Sequence, residues 1–268
     1  VGDPPFNEAH LASMEGDAQL IMATTEPSAS ADVFRSALAG NDAALAGLPR
    51  LSGARKEIAT ISETVDYPKV LMGPEATEER LAQMAESGEL STYRVIHVAT
   101  HALMDDEMPD CSALVMSQVG LPDPLQAAIA GERIYDGLVT AREILREWSL
   151  GADLVVLSAC ETGLGGKVAG EGYVGLAQAI LRAGARSVLV SLWKVDDTGT
   201  EMLMHRFYEN WLGQYTDERF GYAGKQMSKA KALQEAKQWL RSYEGEEGNR
   251  PYEHAYYWSA FVLLGDPS

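Results

Sequence analysis

The chain is poor in cysteine, in basic residues and in long apolar runs, and each shortage argues against a class of protein. Its 268 residues include two cysteines, Cys111 and Cys160, too few for a disulfide framework and typical of a reducing, cytoplasmic location. Lysine and arginine number 22 against 39 acidic residues, a formal net charge of −17. This balance argues against direct binding of nucleic acid or of an anionic membrane surface. No apolar run approaches the roughly 20 residues of a membrane span, and no signal-peptide pattern is present.

What the sequence does have is an alternation of strand-like and helix-like segments, which predicts an α/β fold with a mainly parallel sheet. The predicted strands are 18–23, 69–72, 93–99, 112–117, 153–158, 186–193 and 260–264. The predicted helices are 52–65, 75–87, 173–183, 200–212 and 226–243, and a capping box formed by Thr140 and Glu143 predicts one more. Residues 26–50, 118–136 and 213–225 are predicted to be surface loops or insertions.

Two of the predicted strands lead into residues that could form a nucleophile–base pair. One strand leads to His101 and the other to Cys160, and chemistry in parallel sheets takes place beyond the carboxyl ends of the strands. A thiol attacks as its thiolate, so His101 would remove the proton and later donate it to the leaving amine. The backbone N–H groups of Ala102 and Cys160 are the candidates for holding the oxyanion. On these residues alone, a buried structural cysteine and an unrelated histidine remain an equal alternative.

Two other patterns carry weaker indications. The spacing of His97 and His101 suits two metal ligands on a helix, but here it falls on a strand without a third ligand. We therefore expect no metal, and interpret His97 as a core residue or a support for the site. Residues 170–175 satisfy the dinucleotide pattern G-x-G-x-x-G, but the preceding strand ends too early, near Ser158. A dinucleotide-binding enzyme is accordingly a distant alternative.

An acidic segment follows the strand that ends near Trp193. Thr198 and Glu201 predict a capping box there, so Asp197 need not be the cap itself. Asp197 either interacts favourably with the helix N-terminus or faces a pocket and pairs with a basic substrate side chain. The aromatic residues of 252–258 are predicted to pack on the core.

Taken together, these residues resemble the CHAT domain, a caspase-like peptidase module often found with tetratricopeptide repeats. The matching stretches are VIHVATHA (95–102), DGLVTAREI (136–144), the stretch 152–208 around the cysteine, and YYWSAFVLLGDP (256–267). The resemblance implies a caspase-like three-layer α/β/α sandwich with a mainly parallel twisted sheet. Residues 1–268 would form one domain, with an N-terminal part at 1–90 and a catalytic part at 91–268. Residues 1–6 resemble the segment just after the family's first strand, so that strand is expected to be missing.

The same resemblance implies that His101 is the general base and Cys160 the nucleophile, with no metal or organic cofactor. The family usually has His-Gly where this chain has His101-Ala102, and alanine tolerates fewer backbone torsions than glycine. The segment SLWKVDD (191–197) also resembles separases, in which an acidic residue receives a basic P1 side chain. Carried over, Asp197 would receive an arginine or lysine, beside Trp193 and Asp196.

The interpretation drawn from the sequence is an intracellular cysteine endopeptidase that acts on a protein substrate. It would be a regulated bacterial effector, controlled by an upstream tetratricopeptide-repeat domain or a partner protein, with the glycine-rich residues 161–172 as an activation element. The alternative is a catalytically silent CHAT module that serves as a scaffold for other proteins.

Overall fold

Helices and strands alternate along the chain, as the sequence predicts. The computed structural model describes residues 1–10, 45, 47–48, 50–105, 107–158, 160–161, 171–193, 195–215, 224–246 and 248–268. The helices are α1 (Ser52–Thr64), α2 (Glu78–Glu86), α3 (Pro124–Ala130), α4 (Ala141–Glu147), α5 (Glu171–Arg182), α6 (Asp197–Leu212) and α7 (Lys229–Ser242). The strands are β1 (Val95–Val98), β2 (His101–Leu103), β3 (Ala113–Val115), β4 (Leu138–Thr140), β5 (Leu154–Leu157), β6 (Cys160–Glu161), β7 (Ser187–Ser191) and β8 (Phe261–Gly265).

The described strands form two four-stranded sheets. In the first, the order is β1-β5-β7-β8, with three parallel strands and an antiparallel β8 at the edge. In the second, the order is β4-β3-β2-β6, and the β2–β6 pair is its parallel pair. The mainly parallel first sheet is the predicted one. The second sheet was not predicted, because 93–99 and the residues after it read as one strand followed by a loop.

Helices cover both faces of the first sheet, which confirms the three-layer α/β/α arrangement. All four residues of β5 are buried, and alternate residues join different cores: Val155 packs in the core that includes α5, and Val156 in the core that includes α6 and α7. Parallel strands covered on both faces are apolar throughout, and this explains the run Leu-Val-Val-Leu. Tyr257 and Trp258 pack partly buried against the second of these cores, as the aromatic cluster predicts.

Two neighbouring segments, β1 followed by β2 and β5 followed by β6, run from the first sheet into the second and keep the same register. His97 on β1 lies opposite Val156 on β5, and His101 on β2 lies opposite Cys160 on β6, so each residue faces the one 59 positions later. The Ser158 N–H donates to the Val98 carbonyl at 2.9 Å between the two ladders. The bend that separates the sheets therefore keeps the two segments side by side.

Three of the sequence predictions differ from the structure. Residues 118–136 are not all loop, since α3 forms there on the N-cap of Asp123. The predicted strand at 69–72 is reduced to a single bridge between Met72 and Gly2. The cap of α6 is also different, as described below. The predicted strand at 18–23, and nearly all of 26–50, lie outside the described residues.

Residues 1–3 lie between β1 and the segment around Met72. The Gly2 N–H donates to the Leu71 carbonyl at 3.1 Å, and the Ala99 N–H donates to the Val1 carbonyl at 2.8 Å. A Cβ at Gly2 would lie 2.7 Å from Ile58 Cγ1, so the close approach to α1 requires glycine.

Candidate active site

His101 and Cys160 are direct neighbours on adjacent parallel strands. The register of β2 and β6 sets them opposite one another, and the backbones of neighbouring strands lie about 4.8 Å apart. The His101 side chain is 1% exposed, and its ring lies 5.0 Å from that of Phe6, centroid to centroid. One residue earlier, the buried Thr100 hydroxyl donates to the Val115 carbonyl at 2.5 Å and ties the bend to β3. The two residues that the sequence singled out are thus held at one point of the fold by their backbones.

Ala102, the residue predicted to supply an oxyanion N–H, lies inside the second sheet. It is in register with Leu114 of β3 on one side and with Glu161 of β6 on the other. The N–H of a strand residue lies in the plane of the sheet, directed at a neighbouring strand. An oxyanion role for this group therefore requires that it leave the ladder.

A buried polar network lies beside this pair, at the carboxyl ends of β1 and β5. His97 Nε2 lies 3.0 Å from a carboxylate oxygen of Glu57 on α1, and Nδ1 lies 3.1 Å from the Tyr208 hydroxyl on α6. The second Glu57 oxygen accepts from the Ser158 hydroxyl at 3.0 Å. All four side chains are buried. The network therefore links two helices to the strand ends that lead into His101 and Cys160.

Tyr208 enters this network as a protonated phenol. Burial, and then the Glu57 charge, hold the pKa of the Tyr208 phenol well above its usual range, so the phenol keeps its proton. The Tyr208 O–H can then donate to His97 Nδ1, and His97 Nε2 faces the Glu57 carboxylate, which has no donor of its own. The Ser158 hydroxyl donates to Glu57 from the other side. Every polar group of the network has a partner, as buried polar groups require.

Sequence reasoning treated His97 as a core or supporting residue and missed both Glu57 and Tyr208. The burial of Glu57 could have been predicted from the sequence, because Glu57 lies on the apolar face of α1 with Ala54, Ile58 and Ile61. A carboxylate on that stripe must find a buried partner. Tyr208 had no comparable signal, since a tyrosine on the buried face of a helix is ordinary.

A second buried carboxylate anchors residues 1–3. Asp3 is fully buried, has a positive φ of 48°, and forms ion pairs with Arg55 at 2.9 Å and Arg50 at 3.3 Å. Its N–H donates to the Ala99 carbonyl at 3.3 Å, two residues before His101. This contact fixes the chain beside the bend against the N-terminal part of α1.

The acidic segment has a different cap from the predicted one. Asp196, and not a Thr198–Glu201 capping box, is the N-cap of α6, and its carboxylate accepts from the Gly199 N–H at 2.8 Å. Glu201 instead accepts from the Thr60 hydroxyl at 3.2 Å. The predicted capping box at Thr140 is confirmed for α4.

Asp197 is exposed at the first position of α6 and also contacts the start of α1. Its carboxylate accepts from the Gly53 N–H at 3.2 Å, so it lies near two helix N-termini. A Cβ at Gly53 would come within 2.4 Å of the Asp197 side chain, which explains the glycine. Trp193 is partly buried and donates from Nε1 to the Tyr256 carbonyl at 3.0 Å. Of these three predicted substrate residues, the two aspartates thus also serve as helix-end acceptors.

Other kinds of site find no support in the described residues. Within the ranges given above, no three histidine, cysteine or acidic side chains are grouped so that they could hold a metal ion. No helix in those ranges is long and apolar enough to cross a membrane. Most of the glycine pattern at 170–175 forms the first turn of α5, and Gly170 lies outside the described residues.

Comparison with known proteins settles the family. The CHAT domain family matches residues 5–266, nearly the whole chain. The chain belongs to the CHAT domain family. It is also 30% identical over 236 residues to tetratricopeptide repeat protein 28 of Homo sapiens. That match covers 80% of this chain and 8% of the human protein, so the chain spans a small part of its relative's length.

Membership confirms the resemblance seen in the sequence and relates this CHAT domain to caspase-like peptidases. The name of the human relative agrees with the association between CHAT domains and tetratricopeptide repeats. His101 and Cys160 both lie within the matched range.

Proposed function

We propose that this CHAT domain is a cysteine endopeptidase with Cys160 as nucleophile and His101 as general base. The observation that supports it most directly is the register of β2 and β6, which sets the two residues opposite each other on adjacent strands. A nucleophile and its base must come within hydrogen-bond reach, and neighbouring parallel strands bring two residues of the same register together. A cysteine and a histidine placed independently in the fold would rarely share a register position on adjacent strands.

The proposed reaction is acyl transfer from a peptide to the thiol and then to water. His101 takes the Cys160 proton, and the thiolate attacks the scissile carbonyl carbon to form a C–S bond and an oxyanion. When the oxyanion collapses, the C–N bond breaks and the imidazolium donates its proton to the leaving amine. Water, deprotonated by His101, then attacks the thioester; the C–S bond breaks and the thiolate is protonated again. This chemistry requires no metal or organic cofactor.

In this proposal the N–H groups of Ala102 and Cys160 stabilise the oxyanion. Ala102 is engaged in the second sheet, so the active form would differ from this one by opening of the short β2–β6 pair at its Ala102–Glu161 end, with His101 and Cys160 still neighbours. Such a step suits a regulated enzyme whose site is completed when an upstream domain or a partner protein binds. We propose tetratricopeptide repeats for that role, in a bacterial cytoplasm, with a protein as substrate.

The proposed specificity is for a basic P1 residue, received by Asp197 with Trp193 and Asp196 nearby. Asp196 and Asp197 are exposed and lie next to each other at the start of α6. A P1 guanidinium or ammonium group would share Asp197 with the Gly53 N–H, which a carboxylate can do because it accepts several hydrogen bonds.

The test is cleavage of a diverse peptide library by the wild type, by Cys160→Ala and by Cys111→Ala. Cys111 is the control thiol, since it is partly exposed and lies on a different segment. We expect the wild type and Cys111→Ala to cleave after arginine or lysine and Cys160→Ala to be inactive. Cleavage that survives in Cys160→Ala would refute the assignment of Cys160 as the nucleophile. Cleavage after other residues would refute only the proposed role of Asp197 in binding a basic P1 side chain.

The second candidate function is a catalytically silent scaffold that docks other proteins. The position of Ala102 within the second sheet favours it, because an engaged N–H cannot stabilise an oxyanion. A thiol-reactive peptide electrophile separates the two functions, with the upstream domain present. Faster labelling of Cys160 than of Cys111 supports the peptidase, and equal slow labelling supports the scaffold.

A further inference from the structure

β8 is the edge strand of the first sheet, and one of its two sides has no strand partner among the described residues. It pairs antiparallel with β7, from Ser191 opposite Phe261 to Ser187 opposite Gly265. The order β1-β5-β7-β8 leaves its other side at the sheet boundary. An edge of this kind exposes backbone donors and acceptors that can pair with another chain.

The backbone hydrogen bonds identify which groups of β8 face outward. The Leu192 N–H donates to the Ala260 carbonyl and the Asp266 N–H to the Arg186 carbonyl, both at 2.9 Å. Because alternate residues of an antiparallel strand point to opposite sides, Phe261, Leu263 and Gly265 face away from β7. The Phe261 carbonyl accepts from Lys237 Nζ at 2.6 Å. Within the described part of the chain, the Leu263 N–H and carbonyl have no hydrogen-bond partner.

A groove runs alongside this edge, between α7 and β8. Its inner part is a hollow of about 420 Å³, and a second hollow of about 750 Å³ shares Arg241 and Trp258 with it. Leu233, Trp258 and Leu263 supply apolar surface, and Lys237 and Arg241 supply positive charge. We call these five residues the β8 groove.

The charge of the β8 groove contrasts with that of the whole chain, which is −17. In the ranges that the structure covers, neither Lys237 nor Arg241 has a carboxylate within ion-pair distance; Arg241 lies 5.9 Å from the Trp258 ring instead. Burial lowers the pKa of Lys237, so a carboxylate bound beside it would restore stability to its charged form. Arg250, which lines the outer hollow, is already paired with Glu244. Glu253 also lines the outer hollow, so the positive charge is concentrated in the inner part.

We propose that the β8 groove binds an acidic segment of a partner protein in an extended conformation, which adds a strand to β8. The backbone of the segment would pair with Leu263, its acidic side chains with Lys237 and Arg241, and its apolar side chains with Leu233 and Trp258. A second copy of this chain fits less well. A two-fold pairing of β8 with itself would bring two sets of Lys237 and Arg241 together.

The test uses a terminally blocked, fluorescent peptide of about ten residues with alternating valine and glutamate, a length that matches a typical strand. Binding is followed by fluorescence anisotropy at low salt. We expect Arg241→Glu to weaken binding by at least about tenfold, since it replaces an attractive charge with a repulsive one. Lys231→Glu is the matched control, because Lys231 is an exposed residue of α7 that does not line the groove and its change alters the net charge equally. It should leave the affinity within about twofold of the wild type.

Two altered peptides test the mode of binding while the protein stays unchanged. Methylation of alternate backbone nitrogens removes the donors that would pair with β8, and it should abolish binding. An alternating valine–lysine peptide should not bind. Binding that survives methylation, equal binding of the lysine peptide, equal effects of the two protein variants, or no binding at all would each overturn the proposal. A dimer of the protein alone that dissociates on Leu263→Pro or Arg241→Glu would assign the edge to a second copy instead. No peptide hydrolysis is measured, so the outcome does not depend on the proposed peptidase activity.

Discussion

Glu57 joins the two strand ends that lead to the residues of the candidate site. Its two carboxylate oxygens hold the His97 ring and the Ser158 hydroxyl, which stand four residues before His101 and two before Cys160. Because His101 and Cys160 continue the register of His97 and Val156, a shift at the strand ends would be transmitted to them along the backbone. We regard Glu57 as a residue that positions the proposed pair without touching substrate.

Replacement of Glu57 by glutamine should destabilise the fold and disturb the proposed site. A glutamine amide offers one acceptor where the carboxylate offers two, so either His97 Nε2 or the Ser158 hydroxyl loses an acceptor in a buried environment. We expect a loss of about 1 to 3 kcal/mol in the free energy of unfolding, measured in urea. Glu63→Gln, an exposed change on the same helix, should stay within about 0.5 kcal/mol of the wild type.

The same variant separates positioning from general stability if the peptidase proposal holds. At a temperature where both proteins are fully folded, kcat should fall while KM changes little, because the substrate pocket near Asp197 is unaltered. Equal stability of Glu57→Gln and Glu63→Gln would show that the network contributes nothing, and an unchanged kcat would remove the positioning role.

At the scale of single elements, the N-terminal caps of α4 and α6 show how much local sequence rules can predict. The capping box at Thr140 was predicted and is present, because Thr140 and Glu143 satisfy each other without outside help. At α6 the same rule favoured Thr198 with Glu201, but Glu201 bonds Thr60 on α1. A contact across 141 residues of sequence decides the second case, and no local rule contains it.

A pair of alanine substitutions at the start of α6 distinguishes the two caps. Asp196→Ala removes the acceptor for the Gly199 N–H, so we expect a loss of about 1 kcal/mol in unfolding free energy. Thr198→Ala removes an exposed hydroxyl and should change it by less than about 0.5 kcal/mol. Thermal unfolding of both variants measures the difference. A larger loss of unfolding free energy in Thr198→Ala than in Asp196→Ala would instead support the Thr198–Glu201 capping box predicted from the sequence.

α2 is joined to the turn before β4 by a carboxylate that should make stability depend on pH. Glu78 accepts from the N–H groups of Asp136 and Gly137, both at 2.8 Å. Burial, with the nearby Asp136 charge, raises the pKa of Glu78 to about 8, from its ordinary value of 4.5. The folded state therefore keeps a proton that the unfolded state releases at a lower pH, so this group's contribution to stability is greatest in acid.

We expect the contribution of Glu78 to fall as pH rises from about 4.5 to about 8, the range between the two pKa values. Glu78→Gln removes the titration and should flatten the stability curve over that range, most visibly above neutrality. Glu79→Gln, an exposed neighbour, provides the control, and urea unfolding at a series of pH values provides the measurement. Parallel curves for the wild type and Glu78→Gln would contradict the expectation.

Much of the fold could be predicted from the sequence, and the misses share a cause. Apolar runs such as 153–158 and 186–193 identify buried parallel strands because both of their faces are covered. The break between β1 and β2 could not be predicted from the sequence, since the strand residues on both sides of the bend are mostly buried and give no local signal. Chain order also could not reveal that His101 and Cys160 share a register. That fact follows from how the strands pair, and it is the main gain of the structure for the candidate site.

At the scale of the whole molecule, the excess of negative charge is the property that no single contact explains. With 39 acidic and 22 basic residues, the folded chain concentrates a net charge of −17 in a smaller volume than the unfolded chain does. Repulsion between like charges then opposes compaction. Several acidic side chains form ion pairs, as Asp153 does with Arg94 and Arg186. These ion pairs do not alter the net charge of the chain.

We therefore expect the unfolding temperature to rise as NaCl increases from about 10 mM to about 150 mM, where the screening length falls from about 30 Å to about 8 Å. Weakening of exposed ion pairs acts in the opposite direction, but such pairs contribute at most about 1 kcal/mol each. Sodium perchlorate should give the same rise at equal ionic strength in this range, because screening depends on ionic strength and not on the identity of the anion. A fall in both salts would mean that ion pairs dominate the electrostatics of the fold. A rise in one salt and not in the other would point to specific anion binding, for which the β8 groove is the first place to look.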